Sequence, residues 1–252
     1  MCLILFAYDK HPIYKLIVAA NRDEFYNRPT APAHFWNDHP DILAGRDLEK
    51  MGTWMGVTKS GGFSALTNFR NPSEKTEGKE SRGKLVTDAL KYKGHLRDYI
   101  DQLAKTDSLY PGYNLLAGDK NELYYYSNVG KEMRRVESGI YGVSNHLLDS
   151  DWPKVNYGKQ QLEKIILENK SDLVESLFVL LSNADVAQDD YLPKTGVSIE
   201  MERMLSPLFI ISKGYGTRSS TVLLMSNDEV QYVERVFLSD GTPQTQTFKF
   251  QI

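Results

Sequence analysis

The stretch Cys2-Leu3-Ile4-Leu5-Phe6-Ala7-Tyr8-Asp9-Lys10-His11-Pro12-Ile13-Tyr14-Lys15-Leu16-Ile17-Val18-Ala19-Ala20-Asn21-Arg22-Asp23-Glu24 decides the fold. Two apolar, β-branched runs, 2–7 and 13–20, flank Asp9, Lys10, His11 and Pro12, the pattern of a hairpin with a short loop. Antiparallel pairing returns the end of the second run, Asn21-Arg22-Asp23-Glu24, to the start of the first. Alternation along a strand puts Asn21 and Asp23 on one face and Arg22 and Glu24 on the other.

Working outward, 53–58 and 62–68 form a second hairpin around Lys59-Ser60-Gly61-Gly62, where glycine supplies the positive φ of a tight turn. Residues 71–82 hold Asn, Pro, Ser, Gly and six charges with almost nothing apolar, which predicts a mobile loop able to act as a lid over a cleft. Helices are expected at 83–92 and at 95–106, where Leu96, Tyr99, Ile100, Leu103 and Ala104 recur at helical spacing. Strands follow at 114–118, 122–127, 132–136 and 139–144. Two more helices, 152–168 and 172–182, come next, the second opening with Asp172 three places before Glu175. Strands at 220–226, 229–238 and 245–251 close the chain. Hairpins rather than alternating βαβ units predict an α+β domain spanning 1–252, with antiparallel sheets and helices segregated onto them.

Composition narrows the function. Of 252 residues, 30 are Lys or Arg and 33 Asp or Glu, a formal charge of −3, which lacks the basic excess that nucleic acid demands. No apolar run approaches the roughly 18 residues of a membrane span, and Asp9 and Lys10 interrupt any secretory signal, so a cytoplasmic or organelle-matrix location is expected. A single cysteine forms no internal disulfide. No metal is expected, since His34 and His39 are five apart beside prolines. Gly214-Tyr215-Gly216 lacks the third glycine of a dinucleotide loop, and neither a phosphate loop nor Gly-x-Ser-x-Gly occurs.

Attention therefore falls on Cys2. Cysteine is small enough for methionine aminopeptidase to remove the residue before it, so the mature chain is expected to begin with a thiol and a free α-amine on one residue. That amine, with an ordinary pKa of about 7.7–8.0, suits the role of general base. The competing use of Cys2 is as a small hydrophobe in a buried strand. Asp23 is expected near the Cys2 sulfur, orienting the amine; its competing use is in an exposed charge cluster at a turn.

Cys2, the Asn21-Arg22-Asp23-Glu24 run with Phe25 and Arg28-Pro29, Gly52-Thr53-Trp54, Leu66-Thr67-Asn68-Phe69-Arg70, Tyr141-Gly142-Val143-Ser144-Asn145 and Gly214 to Thr221 together resemble the NRDE-motif family, also called the transport and Golgi organization 2 family. The resemblance runs from end to end and implies a four-layer αββα N-terminal nucleophile hydrolase-like fold. A weaker likeness to choloylglycine hydrolases and penicillin V acylases implies Cys2 as nucleophile and Asp23 as the amine-orienting aspartate. It implies Asn68 as an oxyanion-hole donor, with Asn145 and Arg218 beside the cysteine. That group shows Arg-Asn-x-Asp, whereas here Ala20 precedes Asn21 and the arginine is Arg22. The shift changes face, so Arg22 is not assigned to the cysteine's side.

Two classes of function stay open. One is an N-terminal cysteine hydrolase of amides or acyl thioesters, needing no cofactor. The other is a carrier whose cleft binds haem or a lipid-like ligand such as an acyl-CoA. Either takes a small molecule as its partner.

Overall fold

β1 (Cys2–Tyr8) and β2 (Leu16–Phe25) form the expected antiparallel hairpin in the computed structural model, which describes residues 2–168, 172–237 and 242–252. β1 is buried along its whole length. Ile4 and Phe6 enter a core between two sheets, while Leu3, Leu5 and Ala7 enter a second core beneath helices. A strand covered on both faces needs apolar side chains at every position, which is why this one reads as a continuous apolar run. The connection is longer than the sequence suggests. Asp9 adopts a positive φ of 49°, its N–H donates to the Lys15 carbonyl, and Ile13 is solvent-exposed, so the second strand begins at Leu16. It continues through the Asn21–Glu24 motif instead of ending there.

The first sheet has the order β10 (Gly139–Val143), β1, β2, β11 (Tyr215–Met225), β12 (Glu229–Phe237), β13 (Pro243–Gln251). The second runs β3 (Thr30–Phe35), β4 (Ile42–Asp47), β5 (Met55–Thr58), β6 (Phe63–Asn68), β7 (Tyr113–Gly118), β8 (Leu123–Ser127), β9 (Glu132–Arg135). Every pairing is antiparallel. Val18, Val57, Leu116 and Leu223 belong to the core between the sheets. Helices α3 (Pro153–Glu168) and α4 (Leu173–Leu181) cover the outer face of the first sheet through Val155, Leu162 and Leu177. Helices α1 (Gly83–Lys91) and α2 (Leu96–Ala104) cover the second through Leu85, Val86 and Ile100. The layers are αββα, and the class is α+β. Each fully buried Leu or Phe in these cores contributes about 1.5–3 kcal/mol. Among the described residues no helix is long and apolar enough to cross a membrane.

Three departures bear on the site. β3 and β4 are not legible in the sequence, because Pro32 interrupts β3; the structure makes β3 an edge strand with a bulge between Ala31 and His34, where proline's missing N–H costs no ladder bond. A fifth helix, α5 (Ile199–Leu205), capped by the Ser198 hydroxyl, is too short for its periodicity to stand out. The third departure corrects the mobile loop expected at 71–82. Glu74 accepts from the Gly112 N–H at 2.9 Å, Lys79 Nζ donates to Glu74 and to the Tyr110 carbonyl, the Glu80 N–H donates to the Leu109 carbonyl, and Arg82 donates to the Gly112 carbonyl at 3.0 Å. Polar bonds anchor a segment that lacks apolar anchors. Leu238, at the end of the expected strand 229–238, lies outside the described residues, as does Met1.

Candidate active site

Cys2 opens β1 at one end of the first sheet, only 8% exposed, on the wall of a cavity of about 270 Å³. Arg22, Glu24 and Glu234 line the cavity from the first sheet, Trp54, Leu66 and Asn68 from the second, and Lys79 to Gly83 from the segment entering α1. The second sheet meets α1 here with no room to spare. A Cβ on Gly52 would stand 2.6 Å from the Gly83 carbonyl carbon, which explains the glycine of Gly52-Thr53-Trp54.

The hairpin register pairs Cys2 with Arg22 and Leu3 with Asn21. Directly paired residues point to the same face, so Arg22 shares the face of Cys2 and of Ile4, toward the second sheet. Asp23 faces α3 instead. One sequence expectation is corrected: Arg22 is on the cysteine's side. Asp23 lies near the thiol, lining the same cavity with its backbone hydrogen-bonded to Cys2, while its carboxylate turns to the opposite face. Loop length sets the pairing, and one place of register exchanges the faces. Behind the strand, Asp23 accepts from the Thr217 hydroxyl at 2.7 Å. Burial raises its pKa, opposed chiefly by the Lys154 charge.

Hydrogen bonds link Cys2 through Ser144 and Asn145 to Asn68, which lines the same cavity. Val143 pairs with Ile4, so the chain just past β10 runs beside the start of β1. Ser144 Oγ donates to the Cys2 carbonyl at 3.1 Å and lies 3.3 Å from Asn145 Oδ1. Asn145 Nδ2 donates to the main-chain carbonyl of Asn68 at 3.1 Å, and the Asn145 carbonyl accepts from the Arg70 N–H at 2.7 Å. Asn145 thus supports Asn68, whose residue lines the cavity; it is not itself a lining residue.

Arg218 does not line the cavity. The register between β11 and β2 shifts between Thr217 and Ser219, leaving Arg218 as the extra residue of a bulge. A bulge re-aims its side chain. Arg218 Nη1 donates to the carbonyls of Phe25 and Arg28 at 3.0 and 2.8 Å, holding the turn after the motif. Asn21 is also structural: Nδ2 donates to the Leu181 and Leu208 carbonyls, and Oδ1 accepts from Ser220. Glu24 lines the cavity, 3.8 Å from Arg22 and 3.9 Å from Arg28.

Electrostatically, burial pushes the Cys2 thiol up to about 11, with the Arg22 guanidinium pulling the other way. Sequence reasoning missed the charges buried around this strand end. Lys154, on the first turn of α3, is 3% exposed; Nζ donates to the Leu205 carbonyl at 2.9 Å, and burial pushes its pKa down to about 8. Arg70 Nη1 donates to Glu202 of α5 at 2.7 Å and stacks 4.8 Å from the Trp152 ring. Glu234 accepts from the Ala33 N–H at 2.6 Å and is raised by burial. A signal existed for two of them. Lys154 precedes Gly158 by four places on the face that buries Val155 and Leu162, and Glu234 continues the inward alternation of Val230 and Tyr232.

The C. elegans ortholog of N-acylethanolamine-hydrolyzing acid amidase superposes with a TM-score of 0.53 at 11% identity, over 88% of this chain and 92% of that one, a likeness of fold. With two antiparallel sheets between helices, the molecule has the N-terminal nucleophile hydrolase-like fold. A family model described as Transport and Golgi organisation 2 matches residues 1–239. The mouse Transport and Golgi organization 2 homolog is 33% identical over 279 residues, covering 100% of this chain and 99% of the relative. The human homolog is 34% identical over 275 residues with the same coverage, and the Drosophila melanogaster protein 30% over 258 residues, covering 93% of this chain and 91% of that one. The chain belongs to the Transport and Golgi organisation 2 family.

Proposed function

We propose that the protein hydrolyses amides or acyl thioesters with Cys2 as nucleophile, once Met1 is removed. The observation that carries this reading is the chain of contacts from Cys2 through Ser144 and Asn145 to Asn68, which ties Cys2 and a second cavity-lining residue together from distant parts of the sequence. The family and its hydrolase-like fold support the reaction class without naming a substrate.

The freed α-amine takes the thiol proton, and the sulfur attacks the acyl carbon. Asn68 donates to the oxygen that gains charge; its amide has two N–H bonds and no charge of its own to neutralise. Collapse breaks the bond to the amine or thiol leaving group, which takes the proton back from the α-ammonium. Water then attacks the acyl–sulfur bond, releasing the acid and restoring the thiol. Asp23, from behind the strand, orients the amine, and the Lys154 charge opposes the upward shift that burial gives the Asp23 carboxyl. A buried thiol near 11 is inert at neutral pH, so the reaction depends on the amine as base.

The competing class is a carrier. Apart from Cys2 and the glycines, the apolar lining is Trp54, Leu66 and Pro111, and among the described residues no histidine lines the cavity. These walls do not fit haem, which wants broad apolar faces and an axial ligand. The test is an assay of protein shown by intact mass to lack Met1, with N-acyl amides and acyl-CoA thioesters. Turnover lost in Cys2→Ala supports the hydrolase. Equal rates remove it, and ligand binding without turnover that survives Cys2→Ala establishes the carrier.

A further inference from the structure

Arg22 is 7% exposed, lines the cavity and shares the face of Cys2. Its Nη1 is buried and makes no hydrogen bond among the described residues, while Nη2 only approaches Glu24, at 3.8 Å. A buried guanidinium N–H left unmatched is costly, and a charged acceptor is its strongest match. Of the other cations that line the cavity, Arg28 pairs with Asp47 at 2.5 Å, Arg46 with Asp38 at 2.6 Å and Lys79 with Glu74 at 3.2 Å, Arg82 Nη1 donates to the Gly112 carbonyl at 3.0 Å, and Lys50 lines the wall as well. Arg22 thus keeps an unmatched guanidinium N–H on the face it shares with Cys2.

We infer that the Cys2 cavity is a binding site for a substrate carrying a single carboxylate, received by the Arg22 guanidinium while the scissile carbonyl lies at the Cys2 sulfur. This inference rests on the hydrolase reading for the second contact only. Glu24 and Glu234 decide the charge of the ligand. Both line the cavity beside Arg22, so a dianionic phosphate meets more repulsion from these carboxyl groups than a monoanion does. Burial also favours the protonated form of Glu234, which lessens repulsion further. Cys2 and Arg22 are directly paired, so a short acyl chain spans the two contacts.

Calorimetry on Cys2→Ala protein, which cannot turn substrate over, compares succinamate, a carboxylate joined to a carboxamide, with neutral succinamide. Succinamate is expected to bind at least about tenfold more tightly, the size of one charge-assisted hydrogen bond. Arg22→Met in the same background should erase that preference, and Arg22→Lys should restore part of it, with thermal melts confirming that each variant folds. If Arg22→Met does not fold, Arg22→Lys alone decides, by reducing or not reducing the preference. Equal affinities, no measurable binding of succinamate, or a preference untouched in folded Arg22 variants overturns the inference. Succinamate binding without turnover by wild type keeps the carboxylate site and removes the hydrolase. Turnover of anionic and neutral amides that falls equally in Arg22→Met keeps the hydrolase and removes the carboxylate site.

Discussion

Asn145 donates its side-chain amide to the main-chain carbonyl of Asn68 at 3.1 Å, linking the ends of two strands that belong to different sheets. Asn145→Ala removes that donor and leaves a part-buried carbonyl without this match. It should cost about 1–3 kcal/mol in urea unfolding. The same variant should lower kcat more than it raises KM, because Asn68 loses the contact that sets its position. Unchanged stability and kinetics would make the contact incidental.

Arg70 and Glu202 form a pair whose side chains are 7% and 3% exposed. Breaking a buried pair strands a charge, so Glu202→Gln should destabilise by about 3–5 kcal/mol. Replacing both, Arg70→Met with Glu202→Leu, should recover most of that loss, since no charge is then left behind. Chemical denaturation of the three proteins supplies the comparison; additive losses would mean that the two residues act independently.

Lys154 carries a pH signature. Burial lowers its pKa from 10.5 to about 8, so between those values the folded state binds fewer protons than the unfolded state. Stability from this group is present above 10.5 and is lost as pH falls through about 8, with a slope of at most about 1.4 kcal/mol per pH unit. Cys2 acts in the opposite sense. Its pKa is raised from 9.0 to about 11, so its contribution is present below 9 and lost as pH rises through 11. Unfolding free energies between pH 8 and 9 should therefore rise in wild type and stay level in Lys154→Met. Parallel slopes in the two proteins would show that Lys154 does not titrate there.

What the amino-acid sequence discloses is uneven for physical reasons. The Cys2–Phe25 hairpin and the helices α1 to α4 are legible because each buries long apolar stretches in one period. β3 is not, because Pro32 sits in its middle. The hydrogen-bonded link from Cys2 to Asn145 and Asn68 joins segments that only the family resemblance singles out, whereas the faces taken by the Asp23 and Arg22 side chains are not legible. Their faces depend on the hairpin register, which a loop from Asp9 to Lys15 sets through hydrogen bonds that composition does not reveal. Arg218 is absent from the cavity wall because a bulge at Thr217–Ser219 turns it onto the carbonyls of Phe25 and Arg28. Lys154 was overlooked because a helical lysine is usually solvated, and its neighbours on the buried face are a valine and a glycine.

The nucleophilic role of Cys2 is tested most directly by intact-mass spectrometry of protein lacking Met1, quenched during turnover of a slow acyl ester or thioester. The wild type should gain one acyl mass, mapped by peptide analysis to Cys2, and lose it as free acid accumulates; Cys2→Ala should gain none. Acid release at the same rate from both proteins, or an adduct on another residue with none on Cys2, would contradict the mechanism.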